Sequence, residues 1–440
     1  MNLVLAKTDT GQAVNSVFAV ARDRLPGTGS VADIRRQAFE AYERTGLPHR
    51  RIEEWKYTDL RALMREVLPL AAAPDAKALK RAADAVKAHA VDKAAKLVLV
   101  DGVFAPELSD IAALGRGVTV RTLREVLENE KNDARGDLLI TNVSDPMLSL
   151  NAALATDGVV VAIADGTALP HPIQLIHVST AASASSVTRS HVSVGRGSRA
   201  TLVESFVAAE GAKAYQANDA VILWVGDGAE LSQVRLMADA ADAVNITSHV
   251  YTVGTKTKLN LFNMTSGGHV SRLQGFITLA GEGADLMVNG VNLLKGTQHG
   301  DTTMVVDHAV PGCTSREIFR AVVDDRAHSV FQGRIIVRPD AQKTDGKMMT
   351  RALLLSDEAE ADNKPELEIF ADDVTCGHGA TAGALDDSLL FYLRARGLPE
   401  KEAQALLIQA FVGEAIETIA DDGLREAAML AAERWLEARG

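Results

Sequence analysis

The strongest constraint in this sequence is a β-type unit that recurs through its middle. Short runs of Val, Ile, Leu and Thr, each closed by a tight turn and one or two small residues, centre on Gly166, Gly197, Gly228, Lys256 and Gly283, at steps of 31, 31, 28 and 27 residues. A unit of that size is one layer that cannot bury its own apolar face, so it must stack on copies of itself. With strands in the unit, the expected architecture is a parallel β-helix, its coils ~4.8 Å apart and small aliphatic side chains stacked inside. Hairpins of a β-sandwich would also carry glycine turns, but they require no regular step. Composition favours the solenoid, because only 11 Phe, 3 Trp and 5 Tyr occur in 440 residues. The interior is therefore read as layers of Ala, Val, Leu and Ile.

The flanks have a different texture. Residues 1–95 read as helical, with Val31–Arg44 and Ala72–Ala95 rich in good helix formers. Between these stretches, Trp55 and Tyr57 stand among charges, which predicts rings lying on the domain surface. A strand and turn, Lys96–Val103, open a mixed α/β segment that covers 96–157, and the β-helix core is expected over 158–370. The region 371–440 should be helical. Asp386, Asp387 and Ser388 offer caps for a helix over Leu389–Arg396 that Gly397 closes. Pro399 restarts a helix at its first position. Leu406, Leu407, Ala410, Phe411 and Ile419 then form an apolar stripe, expected either to cap the open end of the solenoid or to dock a partner. A last helix follows over Leu424–Ala438.

Charge and motifs exclude several functions. Lys and Arg number 46 against 58 Asp and Glu, a net charge of −12 that gives no general attraction to nucleic acid. The opening MNLVLAKTDTGQ has no signal-peptide pattern, and no stretch approaches ~18 uninterrupted apolar residues, so a cytoplasmic protein with no membrane contact is expected. Two cysteines, Cys313 and Cys376, are too few for a disulfide scaffold. The chain lacks a P-loop, a complete dinucleotide fingerprint, C-x-x-C, H-E-x-x-H and G-x-S-x-G. A free-standing enzyme is disfavoured.

What remains is a set of ligand-type residues in the C-terminal half. Nine of the 11 histidines lie between His171 and His378. Cys313, after Pro311 and Gly312, reads as a small buried side chain. Cys376 and His378 differ: if Thr375–Gly379 is extended, both point to one side, and a thiolate with an imidazole suits a borderline metal such as iron. Two ligands do not complete a tetrahedral site, so another chain or sulfide must supply the rest.

Read together, Val306–Arg320, Val330–Asp345, Leu353–Asp357 and Lys364–Gly397, the last containing CGHGAT, resemble the SufB/SufD family of iron–sulfur cluster assembly proteins. Glu53–Leu60 (EEWKYTDL) is similar to that family's N-terminal element. The resemblance implies a right-handed parallel β-helix flanked by helical regions. Gly379 follows His378 where the SufB branch typically carries Glu, and SufB proteins usually hold more cysteines, so both departures point to the SufD branch. That implies a non-catalytic subunit that pairs with SufB through the β-helix and docks the SufC ATPase on its C-terminal helices. A homodimer is the alternative state of the isolated chain. The resemblance further implies His378, with Cys376 beside it, as the metal-facing site. Leu389, Phe391, Tyr392, Leu406, Leu407 and Phe411 are the expected SufC contacts. No cofactor is expected to be held stably by this chain alone; iron or a nascent cluster would be shared with SufB. Two other functions stay open at this point: a SufB-like scaffold that itself receives sulfur, and a β-helix carbohydrate-active enzyme.

Overall fold

The computed structural model describes residues 16–64, 68–129 and 131–439. The first 15 residues of the expected N-terminal helical region lie outside these. The strands are β1 (Ala95–Val100), β2 (Val103–Phe104), β3 (Val118–Thr122), β4 (Val159–Ile163), β5 (Ile173–Ser179), β6 (Ser185–Val194), β7 (Arg199–Ala208), β8 (Gln216–Val225), β9 (Glu230–Ala238), β10 (Val244–Val253), β11 (Lys258–Thr265), β12 (Val270–Leu279), β13 (Asp285–Leu294), β14 (His299–His308), β15 (Thr314–Val323), β16 (His328–Val337), β17 (Asp345–Leu354), β18 (Glu360–Ile369) and β19 (Thr375–Gly383). From β5 onward odd-numbered strands form one sheet and even-numbered strands the other, every neighbour parallel and one repeat away. This is a parallel β-solenoid, not a stack of hairpins. Antiparallel pairs occur at the N-terminal end, β1 with β2 and β3 with β4.

The repeat works through its turns. Gly166, Gly197, Gly228 and Gly283 have φ of 68°, 63°, 65° and 68°, a left-handed conformation that costs glycine nothing, and Lys256 adopts it at φ 52°. Each turn hydrogen-bonds to the next coil, as Gly197 N–H does to the Asp227 carbonyl at 2.9 Å. Inside, Ala200, Leu231, Leu259 and Leu286 stack in register as an aliphatic column.

The expected all-aliphatic interior holds for only part of the lumen. Glu204, Gln233, Arg235, Thr247, His249 and Tyr251 are all buried on inward-facing positions of both sheets. His249 Nε2 lies 2.9 Å from Glu204, Gln233 Nε2 donates to Glu204 at 2.8 Å, and Tyr251 OH donates to Gln233 at 2.8 Å. Burial by itself would raise the Glu204 carboxyl, yet His249 and Arg235 beside it hold it down to about 2. Facing sheets let polar side chains from different coils pair with one another, which a composition count cannot reveal, although Arg235 Nε and Nη1 stay without a hydrogen-bond partner.

Helices cover the outer faces. Helix α1 (Ser30–Thr45), the short α2 (Leu60–Leu63), α3 (Ala76–His89), α4 (Leu123–Glu128) and α5 (Pro146–Leu154) precede the main solenoid. Of these, α1 and α5 pack with the even-numbered sheet, whereas α3 lies on β1, β5 and β7. At the C-terminus come α6 (Asp387–Ala395), α7 (Glu400–Ile416) and α8 (Asp422–Glu437). Gly397 follows α6 at φ 95°, the expected stop, whereas Pro399 is the cap of α7 and not its first residue. The β structure runs to Gly383, past the boundary placed at 370, because CGHGAT pairs as a further strand on β17.

Two expectations are corrected here. The buried face of α7 is not the expected stripe and does not cap the solenoid: Ile408, Val412, Ala415 and Ile416 pack on Val203, Val234, Phe262, Val291 and Val322, the outer face of the odd-numbered sheet. Of the expected stripe, Ile419 is buried, Leu407 and Phe411 are half-buried, and Leu406 and Ala410 are exposed. Trp55 is not a surface ring. It is 0% exposed, its Nε1 donates to Asp145 at 3.0 Å, and the Arg272 guanidinium lies 3.8 Å from its ring centre.

Candidate functional site

With the helices on the sides, the C-terminal end of the solenoid is left open. Strands β18 and β19 are the C-terminal edges of the nine- and ten-stranded sheets, and neither contains a buried residue. Cys376 and His378 both lie on β19. In-register pairing sets Cys376 on Gly346 and His378 on Met348, two positions of one face. That face is the lumen. Met348 is a buried core residue, and a Cβ on Gly346 would sit 3.6 Å from the Cys376 sulfur and 3.4 Å from Ser315 Oγ. The two-residue spacing thus places the thiol and imidazole side by side at the mouth, Cys376 half-buried and His378 exposed. Burial, reinforced by the Asp345 carboxylate, pushes the Cys376 thiol up.

Deeper in the same columns are groups that inspection of single motifs misses. Counting back one coil at a time from His378 gives Met348 and then Glu317; from Cys376 it gives Gly346 and then Ser315. Glu317 is 1% exposed, neither carboxyl oxygen has a hydrogen-bond partner, and burial pushes it up to about 8. His308 is fully buried, its Nε2 is 3.0 Å from Ser315 Oγ, and burial lowers it to about 4. The signal was present in the sequence as the repeat step, which aligns each residue with those one coil away.

The orphaned carboxyl has a testable consequence. An unfolded Glu titrates near ~4.3, so between there and about 8 the folded chain holds a proton that the unfolded chain has released. Stability therefore falls as pH rises through this window and is level below it. Unfolding midpoints in denaturant should decline from pH 5 to pH 8 by the equivalent of about 4 kcal/mol from this group, and Glu317→Gln should remove that slope. An unchanged slope in the variant would show that the carboxyl is partnered in solution.

Other ligand candidates are accounted for structurally. Cys313 is 0% exposed, and its thiol faces the Gly281 carbonyl at 3.4 Å, as a small buried side chain should. Both cysteines are free thiols. His299 meets Thr58 Oγ1 at 2.9 Å, and His328 pairs with Asp362 at 2.8 Å. Among the described residues no group of three or more His, Cys, Asp or Glu side chains is placed to hold a metal ion. The pair at the mouth remains a two-ligand fragment. Of the residues expected to face SufC, Leu389, Phe391, Tyr392 and Leu406 are exposed, while Leu407 and Phe411 are half-buried, Phe411 beneath Arg320 at 5.5 Å.

The EEWKYTDL segment reaches this end from outside. Glu53 pairs with Lys364 of β18, and the Glu54 carbonyl accepts from Arg272 Nη2 at 2.7 Å and from Gln332 Nε2 at 3.2 Å. Thr58 also bonds Asp301, the carboxylate that pairs with Arg272. The segment thereby ties coils carrying β12, β14, β16 and β18 to one strap.

Comparison with known proteins gives a consistent result. The family model described as SUF system FeS cluster assembly, SufBD core domain, matches residues 177–411, and the SufBD protein N-terminal region matches 24–175. The chain is 32% identical to the iron–sulfur cluster assembly protein SufD of Escherichia coli, over 89% of each chain. It is 30% identical to an iron–sulfur cluster assembly SufBD family protein of Synechocystis, over 85% of this chain and 84% of that one. With the SufD of Bacillus subtilis the identity is 26% over 66% of each.

Proposed function

The chain belongs to the SufBD family of iron–sulfur cluster assembly proteins, most like SufD, and from that premise we propose that it is the non-catalytic SufD-type subunit of a cytoplasmic SUF assembly complex. In this reading a SufB subunit docks on the open edges of β18 and β19, and the nascent cluster forms between the two solenoids. Iron or the cluster is cargo. His378 offers it an imidazole and Cys376 a second ligand, and the partner or sulfide completes the coordination.

The placement of the pair carries this reading: two ligand-type side chains stand on the last strand of a solenoid whose final coil is uncovered. Unpaired N–H and C=O groups along such an edge favour pairing with another strand. Two free thiols are in keeping with a reducing compartment. Nucleotide use falls to SufC, since this sequence has no P-loop, and the outward face of α7 around Leu406 is its proposed docking surface. Reception of sulfur by this chain is poorly supported, because burial raises both thiols and reduces the thiolate that would attack a persulfide.

Co-expression with SufB and SufC, followed by mass measurement of the purified assembly, tests the proposal. All three chains should be recovered together; recovery of this chain only as a free monomer would overturn it. Leu406→Asp should weaken SufC retention by roughly tenfold while SufB stays bound, as expected for a charge placed in an apolar contact.

A further inference from the structure

We propose that helix α6 belongs to the junction with the neighbouring solenoid and not to the ATPase docking face. This rests on the reading above that an open β-coil docks on β18 and β19. Helix α6 has no buried residue, although it carries Leu389, Phe391 and Tyr392 at 52%, 75% and 54% exposure. Its main packing partner is α7, and the Arg394–Glu400 ion pair at 3.3 Å pins the corner between them. A helix that exposes this much apolar surface marks an interaction site.

The course of α7 locates that site. Just beyond its end, Thr418 and Ile419 line a cavity that runs from Thr201 of β7 through β9 and β11 to Asn289 of β13, while Phe411 and Glu414 meet Arg320 of β15, nearer the open end. The helix therefore runs along the stacking direction, and its first residue points toward the open end. From Phe411 back to Glu400 is about 16 Å at 1.5 Å per residue, whereas β19 lies two coils, about 10 Å, beyond β15. The first turns of α7, with α6 packed on them, thus overhang the last coil. Asp386, the cap of α6, follows the edge strand β19 by only a short link. A solenoid seated on β18 and β19 would meet α6 directly, whereas the outward faces of α7 and α8 stay clear of it.

The test is a Phe391→Asp, Tyr392→Asp double variant co-expressed with SufB and SufC, beside wild type. Thermal unfolding of the variant should match wild type, since α6 buries nothing. SufB affinity should fall at least tenfold with SufC retained. Loss of SufC with SufB retained, or retention of both, would overturn the assignment of α6. Failure of the wild-type chain itself to retain SufB would instead sink the underlying docking reading.

Discussion

Replacing Trp55 with alanine should lower the unfolding free energy by about 3–5 kcal/mol, the cost of emptying a fully buried aromatic site. The ring is the centre of the strap that ties the N-terminal segment to the even-numbered sheet. Its indole N–H is one of the donors to Asp145, which also caps α5 through Met147 and Leu148 N–H groups at 2.8 and 3.0 Å and accepts from Gln274 at 2.9 Å. Its face carries Arg272, a buried cation that also pairs with Asp301 and donates to the Glu54 carbonyl. Truncation removes the ring from beneath a charge that has little access to water, which adds to the cavity cost. Denaturant midpoints for Trp55→Ala and Trp55→Phe would separate the two effects, because Phe restores most of the volume and a ring face but not the donor. A wild-type midpoint for Trp55→Ala would mean that the strap is not packed in solution.

His378→Ala should leave stability and complex composition unchanged yet reduce cluster assembly by about tenfold or more, the scale of loss when a metal site is deprived of a ligand or its support. The side chain is exposed at the mouth and contributes little packing, so a selective functional loss is its signature. Cys376→Ser divides the remaining possibilities. A comparable fall would make the thiol a co-ligand, whereas a small stability change without loss of assembly would make it a packed neighbour of Gly346 and Ser315. Unchanged assembly by an intact complex containing His378→Ala would remove this histidine from the proposed role.

Much of the solenoid was legible because its determinants are local. A left-handed turn needs glycine or a tolerant residue wherever it recurs, so Gly166, Gly197, Gly228, Lys256 and Gly283 mark the coils without reference to anything distant. The alternation of side chains along an extended strand likewise brings Cys376 and His378 to one face. Trp55 was misread for the opposite reason. Its neighbours in sequence are charged, but Asp145 and Arg272, which bury and pair it, lie far along the chain. The polar part of the lumen was missed similarly, since nothing near Glu204 or His249 in sequence marks them as partners until two coils bring them 2.9 Å apart.

By itself the sequence determined the repeating unit, its parallel stacking, the terminal helices and the adjacent thiol and imidazole, all consequences of backbone conformation and spacing within one coil. Only the tertiary structure decided which surfaces those units cover. Helix α7 could have closed the solenoid or lain along it, and periodicity describes an apolar helix without fixing which residues turn inward or what they pack against. Its packing on the side leaves β18 and β19 uncovered, places His378 at an open mouth, and sets the unpartnered Glu317 two coils beneath it. Burial and pairing are sums over distant residues, so the site's exposure and its orphaned carboxyl exist only once the chain is folded.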